Sequence, residues 1–171
     1  MRKRKKQALV VTIIFIIILF GGIVGLTAWR KYQLQKYPAP EFGVTFSTKY
    51  ATSLGLSWKD VYAALLDDFD VRLFRIPVYW DEIEQQQGNI DLTNIQFIMD
   101  EADRHHARII LVIGRRVPRW PECHPPAWTT NLREKQIQQF EQAMMMRVVD
   151  TFKDHPALDR WQVFNEAFLS I

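Results

Sequence analysis

The sequence predicts an α/β fold: the first four βα units of a (β/α)8 barrel, preceded by one transmembrane helix. Three observations carry the expectation. A long uncharged apolar run stands near the N-terminus. Beyond it, short apolar runs alternate with amphipathic stretches in regular order. Polar and aromatic side chains then gather just after the apolar runs, where strands would end.

Residues 1–7 form a basic tail, with Arg2, Lys3, Arg4, Lys5 and Lys6 in succession. Ala8 to Trp29 follows, 22 residues without a charge and rich in Ile, Val, Leu and Phe. A helix rising about 1.5 Å per residue would be roughly 33 Å long here, enough for a hydrocarbon core of about 30 Å. The basic cluster outweighs Arg30, Lys31 and Lys36, so the positive-inside rule places the N-terminus in the cytoplasm and the rest outside it. A cleaved signal peptide would have a shorter apolar core and a small-x-small exit. The exit here reads Leu26-Thr27-Ala28-Trp29-Arg30, which favours an uncleaved anchor.

The tail also distorts the bulk charge. The chain has 22 Lys+Arg against 19 Asp+Glu, and without the five N-terminal basic residues the balance turns slightly acidic. The basic pI therefore reports a short tail, and no nucleic-acid partner is expected. The single cysteine, Cys123, excludes an internal disulfide, and with adjacent His124 it cannot complete a zinc shell.

Residues 30–41 read as a juxtamembrane linker ending in Pro38-Ala39-Pro40, and residues 42–171 as the barrel domain. Gly43 to Ser47 suits a strand. Ser57 with Asp60 resembles a helix start, and Val61, Ala64, Leu65 and Phe69 supply an apolar face. Val71 to Val78 lacks polar alternation, as a strand covered on both faces would. After a loop with Gly88, a helix from about Asp91 carries Ile95, Ile98, Met99 and Ala102 at helical spacing, ending near His105-His106. Arg108 to Ile113 reads as a third strand, and Gly114 to Thr130 as a Pro- and Trp-rich loop. Ile137, Phe140, Met144, Val148 and Phe152 mark the next helix, and Trp161 to Phe164 a fourth strand.

Such an order implies parallel strands, either in an open doubly wound sheet or in a barrel. No Gly-x-Gly-x-x-Gly follows the first strand, which weakens a nucleotide-binding sheet. Trp80, Arg115, Arg116, Trp120, Asn165 and Glu166 cluster after the strands, where barrel enzymes build their sites. A full barrel needs about 250 residues, so four units amount to half of one.

The sharpest feature is Trp161-Gln162-Val163-Phe164-Asn165-Glu166, a strand running directly into an amide and a carboxyl. Glycoside cleavage needs a carboxylic acid to protonate the leaving oxygen and a second carboxylate across the sugar. With this motif at the fourth strand, residues 42 to 170 resemble the clan A glycoside hydrolases, which include family 5 cellulases and mannanases, family 10 xylanases and family 42 galactosidases. The resemblance implies that Glu166 is the general acid/base and that Asn165 binds the sugar 2-hydroxyl. Phe74-Arg75-Ile76-Pro77-Val78 resembles the second-strand Arg-x-Pro pattern, which implies that Arg75 helps hold the nucleophile. Trp80-x-x-Ile83-Glu84-x-x-x-Gly88-x-Ile90-Asp91 and Val117-Pro118-Arg119-Trp120 are similar to loops after the second and third strands.

Three departures accompany the resemblance. Asn165-Glu166-Ala167 is closer to the family 10 form than to Asn-Glu-Pro. No histidine stands in Ile113-Gly114-Arg115-Arg116. The nucleophile belongs on a seventh strand, so this chain is expected to lack the second catalytic carboxylate.

Trp80 and Trp120 either stack on sugar rings or pack internally. Glu84 suits a loop or helix-start role, and Arg115-Arg116 either a solvated loop or an acidic-sugar contact. The expected function is a membrane-anchored retaining glycosidase acting on a poly- or oligosaccharide, with no cofactor or metal. The alternative is an inactive partial barrel that at most binds glycan, self-associating through unpaired edges.

Overall fold

The computed structural model describes residues 2–36 and 41–167. The expected Pro38-Ala39-Pro40 end of the linker and the segment 168–171 lie outside the described residues. The N-terminal helix and the residues from Phe42 onward form two separate compact units.

Helix α1 spans Arg2–Lys36 and is longer than the apolar run that predicts it. Arg30 to Lys36 is made of good helix formers, with no Gly or Pro before Pro38, so nothing in the sequence stops the helix at Trp29. The stretch Thr12–Leu34 is long and apolar enough to cross a membrane, and none of it is buried within the protein. A signal sequence meets the same criterion.

The second unit alternates strands and helices. In order they are β1 (Val44–Thr45), α2 (Thr48–Ser53), α3 (Trp58–Asp67), β2 (Leu73–Pro77), α4 (Trp80–Ile83), α5 (Thr93–Arg104), β3 (Arg108–Ile113), α6 (Glu134–Phe152) and β4 (Leu158–Val163). The four strands form one parallel sheet in sequential order. This is the arrangement of the first βα units of a TIM barrel. The third strand matches its expected bounds, whereas the first is shorter and the fourth starts three residues earlier.

Two short helices are additions to the sequence reading. Helix α2 is capped by Ser47, whose hydroxyl accepts from the Tyr50 N–H at 3.1 Å. Helix α4 follows β2 after two residues. Helices of fewer than two turns are too short to show a period, so neither announces itself in the sequence.

Strand alternation sends Phe74 and Ile76 of β2, and Ile109 and Leu111 of β3, toward the helices. There they are buried with Tyr62 and Leu66 of α3, Ile98 and Met99 of α5, and Met144, Val148 and Phe152 of α6. Each such side chain contributes about 1.5–3 kcal/mol by leaving water. Helix α3 buries Tyr62 and Leu66 rather than the expected Phe69, because it ends at Asp67 and leaves Phe69 exposed in the turn. The Tyr62 ring lies 5.3 Å from that of Phe46 and 5.0 Å from that of Phe74. Met144 is buried and Met146 exposed, as packing of one helix face requires. His105 caps α5, and His106 is exposed with a left-handed backbone.

The opposite sheet face mixes polar and apolar side chains. Arg75, Ile110 and Arg160 stand in register, followed by Pro77, Val112 and Gln162. In a barrel this face lines the interior.

Candidate active site

The site lies where β2, β3 and β4 end. Arg75, near the end of β2, donates from Nε to Gln162 Oε1 at 2.8 Å and from Nη2 to Asn165 Oδ1 at 2.7 Å. Burial pulls its pKa down while the Glu122 carboxylate pulls it up. One guanidinium thus ties β2 to β4 and fixes the Asn165 amide.

After β4 the chain turns sharply. Phe164 and Glu166 have left-handed backbones, with φ of 61° and 51°. The Phe164 N–H donates to the Ile113 carbonyl at 3.0 Å and the Asn165 N–H to the Arg116 carbonyl at 2.8 Å. Gly114 makes the turn possible. Its φ is +116°, and a Cβ there would lie 2.3 Å from the Phe164 ring. No other residue type fits.

The third-strand loop folds back on itself. Arg116 and Cys123 form an antiparallel bridge, the Val117 N–H donates to the Glu122 carbonyl at 2.9 Å, and the His124 N–H donates to the Arg115 carbonyl at 2.7 Å. This hairpin carries Glu122 to the strand ends. Its Oε1 accepts from Asn165 Nδ2 at 2.9 Å, and its Oε2 from Arg116 Nε at 3.4 Å. Arg116 Nη2 lies 3.7 Å from Glu166 Oε2. The Glu166 side chain is about 50% exposed. Arg75, Asn165, Glu122, Arg116 and Glu166 therefore form one continuous polar chain.

Sequence reasoning missed Glu122. Its partner Arg116 is six residues away, and only the hairpin makes them neighbours. The Pro- and Trp-rich composition of that loop signals irregular backbone but not its direction.

Trp120 and Trp80 part company. Trp120 is 86% exposed and lines a cavity of about 400 Å³ with Tyr50, Arg119 and Glu122. Trp80 is fully buried, which corrects the expectation of a sugar-stacking role. It opens α4 directly behind β2, packs edge-on against Trp128 with centroids 5.8 Å apart, and donates from Nε1 to Glu84 Oε2 at 2.6 Å. No face of its ring is left for a ligand. Glu84 also accepts from the Gly88 N–H at 2.7 Å, so it is a loop-binding carboxylate. Arg115 pairs with Glu134 at 2.6 Å and lies 3.6 Å from Glu141. Its hydrogen bond to Glu134 holds its pKa up.

A second polar group sits beside the loop. Tyr79 shares a hydrogen bond with Ser47 at 2.6 Å and donates to the Pro118 carbonyl at 3.1 Å. Burial pushes its phenol up to about 12, so it remains a neutral donor. Burial would raise the Asp81 carboxyl, but hydrogen bonds from His124 and Lys49, with their charges, bring it below the usual range. No cluster of three metal-ligating side chains occurs among the described residues.

No protein-family profile and no curated protein matches the chain. Solved structures do. The cold-adapted beta-galactosidase from Rahnella sp. R3 superposes with a TM-score of 0.60 at 13% identity, over 75% of this chain and 21% of that one. GH5_18 from Streptomyces cattleya, in complex with GlcNAc, gives 0.60 at 17% identity, over 75% and 34%. An exo-beta-1,4-mannosidase from Opitutaceae bacterium strain TAV5 gives 0.54 at 15% identity, over 74% and 24%. The chain spans about a fifth to a third of the length of these structures. Its second unit has the fold of the first βα units of a TIM barrel, and its structural neighbours are glycoside hydrolases.

Proposed function

We propose that the protein is a membrane-anchored retaining glycoside hydrolase acting on an extracytoplasmic glycan, with Glu166 as general acid/base. One observation carries the reading. The polar chain from Arg75 through Asn165 and Glu122 to Arg116 orders the strand ends and leaves the Glu166 carboxyl half-exposed beside it.

In the first step a second carboxylate, supplied from outside these four strands, attacks the anomeric carbon. The glycosidic C–O bond breaks as Glu166 gives its proton to the departing oxygen. Water then attacks the glycosyl ester, Glu166 takes its proton, and the ester carboxylate leaves. Asn165 uses one Nδ2 hydrogen on Glu122, which leaves its second for the sugar 2-hydroxyl. Trp120 offers an exposed indole to a sugar ring, and Arg75 holds the Asn165 carbonyl. The helix through Thr12–Leu34 keeps the catalyst at the membrane, with the N-terminus cytoplasmic.

The test is hydrolysis of chromogenic glycosides by the complete gene product. Wild type should cleave at least one, and Glu166→Gln should lose about 10²–10⁴-fold in rate. Glycan binding without cleavage by wild type would support the second reading, an inactive barrel that only binds. Equal rates for wild type and Glu166→Gln would remove Glu166 from the chemistry.

A further inference from the structure

Three arginines crowd the third-strand loop, and their surroundings differ. Arg115 faces Glu134 and Glu141, and Arg116 faces Glu122 and Glu166. Arg119 has no carboxylate partner among the described residues. Its guanidinium lies on the ring of Tyr50, with Cζ 3.2 Å from the centroid. A guanidinium stacked this way keeps its N–H edge free for a planar, bidentate acceptor.

Arg119 also borders a cavity of about 770 Å³ between α2 and the hairpin, together with Lys49, Tyr50, Asp81, Trp120 and His124. His124, 5% exposed, sets the floor, with Nδ1 3.4 Å from Lys49 Nζ. Lys49 Nζ sits 2.5 Å from Asp81 Oδ2 and 5.1 Å from the centre of the Tyr79 ring. These contacts fix Lys49 and Asp81 as a donor and an acceptor and cancel their charges. The uncompensated charge on the wall is Arg119, beside an exposed indole.

We propose that this cleft is a subsite for a carboxylate-bearing sugar, a hexuronosyl residue, with its ring on Trp120 and its carboxylate on Arg119. The Lys49–Asp81 pair would meet its hydroxyls. The inference names the substrate class of the proposed hydrolase and rests on that reading for its choice of a glycan. An aromatic face, fixed polar side chains and one spare planar cation are what such a sugar requires. The carboxylates around Arg115 and Arg116 rule those two out for the same task.

The probes are pairs of oligosaccharides that differ only in a C6 carboxylate against a C6 hydroxymethyl group. Binding to the full chain in lipid nanodiscs is read by tryptophan fluorescence and calorimetry. The uronide should bind about tenfold or more tightly than its neutral twin. Arg119→Gln should erase that preference, while Arg115→Gln should leave it intact. A neutral twin that binds equally well, a preference that survives Arg119→Gln, or no binding by any uronide would overturn the proposal. The two readings fail separately. Uronide binding without hydrolysis refutes the catalytic reading alone. Hydrolysis of neutral glycans without uronide preference refutes this inference alone.

Discussion

Gly114→Ala tests how the site is held in place. An alanine Cβ would lie 2.3 Å and 2.4 Å from two carbons of the Phe164 ring, well inside contact distance. Holding alanine at φ +116° adds backbone strain. Strain of this kind costs about 1–3 kcal/mol and overpacking about 1–3 kcal/mol, so the two together should remove about 2–6 kcal/mol. At roughly 2–8 °C per kcal/mol for domains near this size, Tm should fall by at least about 4 °C, and by about 15 °C for mid-range values. Gly55→Ala is the control, since Gly55 also has a positive φ (76°) but no atom within 4 Å of its Cβ position. It should lose only the backbone part. The assay is thermal unfolding followed by near-UV circular dichroism. A Gly114→Ala protein melting within a degree or two of Gly55→Ala would show that Phe164 is not seated against β3. The explanation of how Asn165 and Glu166 are positioned would then be wrong.

Arg75→Met removes two charge-assisted hydrogen bonds from a half-buried group. It should cost about 2 kcal/mol after discounting for solvent, with Arg75→Lys recovering part of it, read as denaturant midpoints. Trp80→Ala should cost about 3–5 kcal/mol because it empties a core site and strips Glu84 of a donor, whereas Trp120→Ala should stay within about 0.5 kcal/mol in the same titration. The Asp81 carboxyl is held below its unfolded value of about 3.9, so its contribution is fully present above that pH and is lost as pH falls through the folded value. Stability measured from pH 6 to pH 3 should therefore fall less in Asp81→Asn than in wild type, and parallel curves would contradict this.

Much of this architecture is legible in the residues because burial on both faces leaves a plain mark. Leu73–Pro77 and Arg108–Ile113 are continuous apolar runs apart from Arg75 and Arg108, and the polar Arg75 marks the face that would line a barrel. The end of β4 is legible as well, since Trp161 to Phe164 is apolar apart from Gln162 and the strand stops just before Asn165-Glu166. Contacts made by irregular backbone are not legible. Glu122 reaches Asn165 through a hairpin whose residues Arg119 and Glu122 have positive φ, and no period encodes such a path. Trp80 and Trp120 show the same limit. Both follow strands by a few residues, yet a single turn of helix buries one while the hairpin exposes the other.

The most direct measurement is leaving-group dependence in the complete gene product carrying Glu166→Gln, with and without azide. If Glu166 is the acid/base, the variant should keep its rate best on glycosides whose leaving group needs no proton. Azide, which needs no base, should restore turnover on them. A Glu166→Gln protein whose losses are equal for good and poor leaving groups, and which azide does not revive, would contradict the account.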